Sequence, residues 1–197
     1  AMHRPDGTPE EQAKLLSVGI PFPNVALRVV DEEGRDRPVG EPGEVILRGP
    51  TMFRGYWNNT IATIESLRDG WYYSGDVGRF DDEGYLYLVD RKKDMIISGG
   101  ENIYSREVEE AVLTHPAVSE VAVIGRPDET WGETVCAVVV AMPGATVTEA
   151  EIIEHSRGRI ASYKKPRDVV FVSALPKLVS GKVDKKVLRD QHGRPAA

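Results

Sequence analysis

The run YLYLVDRKKDMIISGGEN, residues 85–102, constrains the fold more than any other part of the chain. It begins as an alternating strand, Tyr85 to Val89, and breaks into the charged run Asp90-Arg91-Lys92-Lys93-Asp94. A short apolar segment, Met95-Ile96-Ile97, and a glycine pair, Gly99-Gly100, follow. A polar loop placed between two ordered stretches of different character marks a connector between two folding units. Such a connector suggests a hinge that also carries chemistry.

The chain has 197 residues, enough for one medium domain or two small ones. The connector favours two. Before it the period of the apolar residues is two: Asn24 to Val30 reads as a strand closed by the turn Asp31-Glu32-Glu33-Gly34, and Gly43 to Gly49 reads as another. Arg79-Phe80, the turn Asp81-Asp82-Glu83-Gly84 and Tyr85 to Val89 form a hairpin. Asn59 to Leu67 has helical spacing, with a threonine, Thr60, where a cap belongs.

After the glycine pair the period rises to about 3.6. Ser105 is expected to cap a helix whose Val108, Ala111 and Val112 share a face and which ends before Pro116. Val118 to Ile124 and Glu133 to Met142 read as strands. Thr148-Glu149-Ala150-Glu151 has the form of a capping box opening a helix through Ile152, Ile153 and Ile160, and Asp168 to Val172 reads as a third strand. The expected fold class is α+β: a small antiparallel β subdomain over 1–90, a hinge at 90–94, and a small mobile α+β domain over 91–197 whose helices cover one face of a sheet.

Composition excludes several functions. A net charge of −6 argues against a general nucleic-acid binder, and no apolar run is long enough to span a bilayer. The opening residues 1–7 read as a loop rather than a leader, which makes a cytoplasmic location the default. The single cysteine, Cys136, lies in an apolar strand and reads as core filler. His3, His115, His155 and His192 show no metal-ligand spacing, so no metal site is expected on this chain. Basic residues crowd the last third (Lys164, Lys165, Arg167, Lys177, Lys182, Lys185, Lys186, Arg189), a distribution suited to a polyanionic small molecule, although most of them are expected to form a solvated face.

Four blocks, in order, resemble those of the adenylate-forming enzymes, the acyl-CoA synthetase and luciferase superfamily. They are Gly55-Tyr56-Trp57-Asn58-Asn59, the block Asp69 to Gly78 with Ser74-Gly75-Asp76 at its centre, the connector, and Pro176 to Lys185 with Ser180-Gly181-Lys182 at its centre. The resemblance runs from Gly19 to Arg189 and points to the C-terminal portion of a fatty-acid or aromatic-acid CoA ligase. It implies an acid:CoA ligase that makes an acyl-adenylate from a carboxylic acid and ATP and then a thioester with coenzyme A, using Mg²⁺ in the intact enzyme. The family's phosphate loop and acyl pocket are absent here, so the resemblance also implies a missing N-terminal adenylation domain and an inactive piece in isolation.

The residues carried over by the resemblance are Lys182 as the adenylation cation, Asp76 on the ribose hydroxyls, Arg91 on ribose or phosphate, and Lys93 at the hinge. The resemblance further implies that Ser98, Gly99, Gly100 and Glu101 line the coenzyme A tunnel. Chemistry agrees with these roles. A lysine beside a glycine brings a compact charge close to phosphate, a carboxylate accepts two hydroxyl donors, and an arginine offers a planar fork. A phosphate-loop reading of Gly181-Lys182 fails because Val183 stands where Ser or Thr would be needed. Tyr73 and Ser74 depart from the family's usual Arg and Thr, and Gly99 places the chain nearer the fatty-acyl, benzoate and feruloyl ligases than the coumarate ligases. The alternatives are a catalytically silent partner-binding module and an adenylation domain that loads a carrier protein.

Overall fold

The structure, a computed structural model, describes residues 7–193. The opening loop expected over 1–7, with His3, therefore lies almost wholly outside the described residues. The chain divides into two compact units between Lys93 and Asp94.

The first unit contains α1 (Pro9–Lys14), β1 (Ala26–Val30), β2 (Gly43–Arg48), α2 (Thr60–Ser66), β3 (Leu67–Arg68), β4 (Trp71–Phe80) and β5 (Leu86–Arg91). All its strands are antiparallel, and β4 is the central member, pairing with β2, β3 and β5. Val29, Val45 and Leu86 form the buried centre, flanked by Leu27, Leu47 and Phe80 from the same alternating pattern. The β4–β5 turn is held by Asp81, whose Oδ1 accepts from the amides of Glu83 and Tyr85 at 3.0 and 2.9 Å. Helix α2 is capped by Asn59, whose side chain accepts from the Ala62 amide. The expectation of a Thr60 cap is off by one residue, because the asparagine ahead of it already satisfies the free helical amide.

Beyond a short 3-10 turn at Lys92–Asp94, the second unit contains β6 (Ile96–Ser98), β7 (Glu101–Ile103), α3 (Ser105–Leu113), β8 (Val118–Asp128), β9 (Gly132–Ala141), α4 (Glu149–Arg157), β10 (Asp168–Phe171) and α5 (Lys185–His192). Strand β9 pairs antiparallel with β8 along its length, parallel with β10 over Cys136–Val139, and with β6 at Gly132. Its side chains alternate between two cores. Val135, Ala137 and Val139 meet Val108 and Val112 of α3 and Ile152 of α4, whereas Cys136 and Val138 meet Leu188 of α5 and, from the segment before it, Leu175.

Helices therefore cover both faces of this sheet, which corrects the expectation of one covered face. The continuous apolar run Val135 to Ala141 is what a strand buried on both sides requires. Burying Leu188 completely contributes about 1.5–3 kcal/mol, and that contribution fixes α5 on the second face. Cys136 is fully buried there, and burial pushes its thiol up to about 11, so it packs as a small apolar group.

Two helix ends also differ from expectation. Ser105 does not cap α3: Tyr104 takes that position without a side-chain capping bond to the helix, and Ser105 is buried with its hydroxyl accepting from Lys185 Nζ at 2.7 Å. Helix α4 stops at Arg157 with Gly158 as its cap, so Ile160 lies beyond it yet still packs on the core. The capping box is present, with Thr148 accepting from Glu151 N and Glu151 accepting from Thr148 N. No helix among the described residues is long and apolar enough to cross a membrane.

The Thr148→Ala variant is expected to lose about 1 kcal/mol from the second unit, the usual effect of removing such a cap. Denaturant-dependent hydrogen exchange of the β9 amides measures it, and unchanged exchange would contradict the assigned cap.

Candidate functional site

The geometry of the first unit's site follows from an irregularity in β4. Glu44 pairs with Val77 and Ile46 with Tyr73, so the single residue Val45 of β2 faces three of β4, Ser74 to Asp76, and the Ser74-Gly75 segment arches out of the ladder. Gly75 sits at φ +70, a left-handed backbone that suits glycine at such an arch. The arch is tied from within. Ser74 Oγ donates to Val45 O at 2.7 Å and accepts from Asp76 N at 3.0 Å, while Gly75 N donates to Glu44 Oε1 at 3.3 Å.

The arch sets Asp76 directly across from Arg91, their backbones in register between β4 and β5. Arg91 Nη1 donates to Asp76 Oδ1 at 2.7 Å and to Ser74 O at 3.3 Å. The side chains are 51% and 33% exposed, so the pair stabilises the fold by no more than about 1 kcal/mol. It opens at little cost, leaving a carboxylate and a guanidinium free to turn to a ligand. An open cleft of about 410 Å³ adjoins it, lined by Ser74, Gly75, Arg91, Lys92 and Lys93. Lys92 Nζ donates to Glu44 Oε2 at 2.9 Å, so Glu44 secures both the arch and this wall of the cleft.

Close by, Phe53 meets the rings of Tyr56 and Tyr72 edge-on at centroid distances of 5.1 and 5.0 Å. The Tyr56 and Tyr72 hydroxyls stand 3.5 Å apart. That hydrogen bond, helped by burial, pushes Tyr72 up to about 12.

The second unit carries the other residues. Gly99 and Gly100, at φ +60 and +84, form the two-residue turn between β6 and β7, with Ser98 and Glu101 paired at its base. Gly99 N donates to Trp131 O at 2.9 Å, and a Cβ on Gly99 would lie 2.8 Å from Cε3 of the Trp131 ring. Glycine is therefore required by the turn and by Trp131, a reason the sequence does not reveal. The Arg167 guanidinium stacks on the same indole at 4.8 Å.

Lys182 lies on an exposed hairpin. Leu178 N donates to Lys182 O and Gly181 N to Leu178 O, both at 2.8 Å, and Lys177 bridges to Val183. Lys164, Lys177 and Lys185 are engaged by Glu107, Glu120 and Glu109, whereas no carboxylate among the described residues pairs with Lys182. Asp76, Arg91 and Lys93 thus belong to the first unit, and Ser98, Gly99, Gly100, Glu101 and Lys182 to the second.

Sequence reading passed over Glu44, Tyr72, Trp131 and the strand β3. Only β3 has a local signal: Asp69-Gly70, both at positive φ, turns Leu67-Arg68 back on Trp71-Tyr72.

Comparison with known proteins gives two family matches, "AMP-binding enzyme" over 1–57 and "AMP-binding enzyme C-terminal domain" over 107–182. Among curated proteins, the indoleacetate–CoA ligase of Aromatoleum aromaticum is 46% identical over 180 residues, covering 91% of this chain and 35% of that protein. The chain spans about a third of the length of the curated relatives it matches. Among solved structures, ATP-bound MatB from Rhodopseudomonas palustris superposes with a TM-score of 0.84 at 40% identity over 90% of this chain and 36% of that one. Apo MatB from the same organism covers the same shares at 41% identity, but with a TM-score of 0.64. The two MatB structures therefore differ from each other in shape over the part this chain matches.

Tyr72 titrates above its ordinary value of 10, so the stabilisation linked to its neutral form is complete below pH 10 and is lost as pH rises toward 12. Tyr56→Phe should bring the Tyr72 transition down toward 10, read by ultraviolet absorbance of the phenolate. An unmoved transition would show that the Tyr56 hydroxyl is not its cause.

Proposed function

Since the chain belongs to the AMP-binding enzyme family, we propose that it supplies the nucleotide-facing residues, pivot and mobile cation of an acid:CoA ligase. A carboxylate oxygen attacks the α-phosphorus of ATP, the bond to pyrophosphate breaks, and an acyl-adenylate forms. The thiol of coenzyme A, losing its proton, then attacks the acyl carbon and AMP leaves.

Negative charge gathers on the α-phosphate oxygens as the new bond forms, so a cation brought there at that moment lowers the barrier most. Lys182 is that cation. The observation that carries this reading is its exposed ammonium group on a tightly bonded hairpin, unclaimed by any carboxylate among the described residues while the neighbouring Lys177 and Lys185 are paired. An ammonium already locked in an ion pair would have to break it before each turnover.

Asp76 and Arg91 receive the nucleotide. Their pair opens to let the carboxylate accept from the ribose hydroxyls and the guanidinium donate to ribose or phosphate oxygens. Mg²⁺ accompanies ATP in such chemistry, and among the described residues no three His, Cys, Asp or Glu side chains are grouped to hold a metal. Its binding groups are assigned to the rest of the intact protein, together with the acyl pocket.

Lys93 is the pivot. It precedes the boundary between the two compact units and lies in a short 3-10 turn outside both sheets. Rotation of its backbone withdraws Lys182 after adenylation and brings the β6–β7 turn, Ser98-Gly99-Gly100-Glu101, to the acyl-adenylate as a wall of the coenzyme A path. The shape difference between ATP-bound and apo MatB supports such a motion in a related protein.

In the intact protein, Lys182→Ala should lower acid-dependent ATP–pyrophosphate exchange by about 10²–10³-fold, the scale for losing one group that stabilises developing oxyanion charge. Coenzyme A capture of a supplied acyl-adenylate should persist. Unchanged exchange would remove Lys182 from the reaction.

A further inference from the structure

Helix α5 begins three residues after Lys182 and is fastened at both ends. Asp184 caps its first turn by accepting from the amides of Lys186 and Val187. Lys185 Nζ reaches Glu109 Oε1 and Ser105 Oγ, each at 2.7 Å, and the same Glu109 oxygen accepts from Val123 N. At the far end the buried Arg126 donates from Nε to His192 O at 2.6 Å, where the helix dipole is negative. Leu188, fully buried, holds the middle.

One turn after Lys185, on the same helical face, Arg189 Nη2 donates to Asp94 Oδ1 at 2.5 Å. Asp94 is the first residue beyond Lys93, and its side chain is only 12% exposed. Asp94 and Arg189 are 95 positions apart, yet this contact joins the pivot's C-terminal side to the helix that carries the Lys182 hairpin.

From this path we infer that Arg189 is a positioning residue of the ligase reaction: its bond to Asp94 confines rotation to the peptide units before Asp94 and so fixes the arc along which Lys182 travels. This rests on the proposed function above. The physical reason is stiffness. If Asp94 were loose, the joint would extend into the 94–95 segment, and each ångström of wander at the pivot would be carried along the body to the ammonium group, where misplacement slows phosphoryl chemistry sharply. Confining the joint keeps the search for the adenylation geometry short.

The test uses the intact protein and three variants, Arg189→Ala, Asp94→Ala and the charge exchange Asp94→Arg/Arg189→Asp. Acid-dependent ATP–pyrophosphate exchange is measured as kcat and KM for ATP, beside the thermal midpoint of each variant. The expected result is a fall of about tenfold or more in kcat for both single variants with KM for ATP nearly unchanged, since Asp76 and Arg91 are untouched. The charge exchange should recover most of that loss while its thermal midpoint stays no higher than that of the single variants. Unchanged kcat in the single variants would overturn the proposal. So would a recovery of rate that only follows recovery of the thermal midpoint, which is what a merely structural ion pair gives. The outcome is separable from the parent reading: inactive Lys182→Ala with fully active Arg189→Ala rejects the tie alone, whereas fully active Lys182→Ala rejects the catalytic reading itself.

Discussion

The hydrogen-bond ladder of one sheet ends at Arg91 and that of the next begins at Ile96, and the residues between them belong to neither. The residues proposed to act in the reaction are divided by this gap. Ladder bonds hold Asp76 against Arg91 on one side of it, and ladder bonds hold Ser98 against Glu101 on the other. A backbone without ladder partners is where dihedral change is cheapest, because no sheet bonds must break. The charged run continues into this gap as Lys92 and Lys93, both exposed, which keeps that stretch solvated.

A joint is useful only if what it moves is stiff. The second unit obtains its stiffness from a sheet buried on both faces, with α3 and α4 on one side and α5 on the other. Residues that look like surface charge in the sequence prove to be the fastenings of this body: Lys185 on Glu109, Arg189 on Asp94, Arg126 on the carbonyl of His192. Lys182 stands apart from them, on a hairpin whose backbone is bonded but whose ammonium is not engaged by a carboxylate among the described residues. A fixed stem with a free charge is the arrangement that delivers a cation without first having to release it.

The class of the fold and most of its elements were legible because they rest on local patterns. The two-residue period up to Val89, the capping box at Thr148 and the apolar run of β9 each carry their own signal within a few residues. What escaped depends on distant partners. The one-face expectation for the second sheet failed because α5 is short and highly charged, with Leu188 as its sole fully buried residue, so its sequence looks like a solvated tail. Ser105 looked like a cap because a serine before an apolar helix usually is one; here a lysine 80 positions away claims its hydroxyl. Gly99 is expected from the resemblance only as lining of the coenzyme A tunnel, while the structure adds the indole of Trp131 and a left-handed backbone. The arch at Ser74-Gly75 that aims Asp76 is invisible without the register of β2.

In the proposed function the body carrying Lys182 swings about Lys93 between two working positions. The most direct measurement is the distribution of distances between two spin labels in the intact protein, one at the exposed Glu65 in the first unit and one at the exposed Arg157 in the second. With a non-hydrolysable acyl-adenylate analogue alone, and again with coenzyme A added, the account predicts two distinct distances whose populations exchange, and a collapse of that exchange when Lys93 is replaced by proline. A single distance that neither ligand nor Lys93→Pro alters would contradict it.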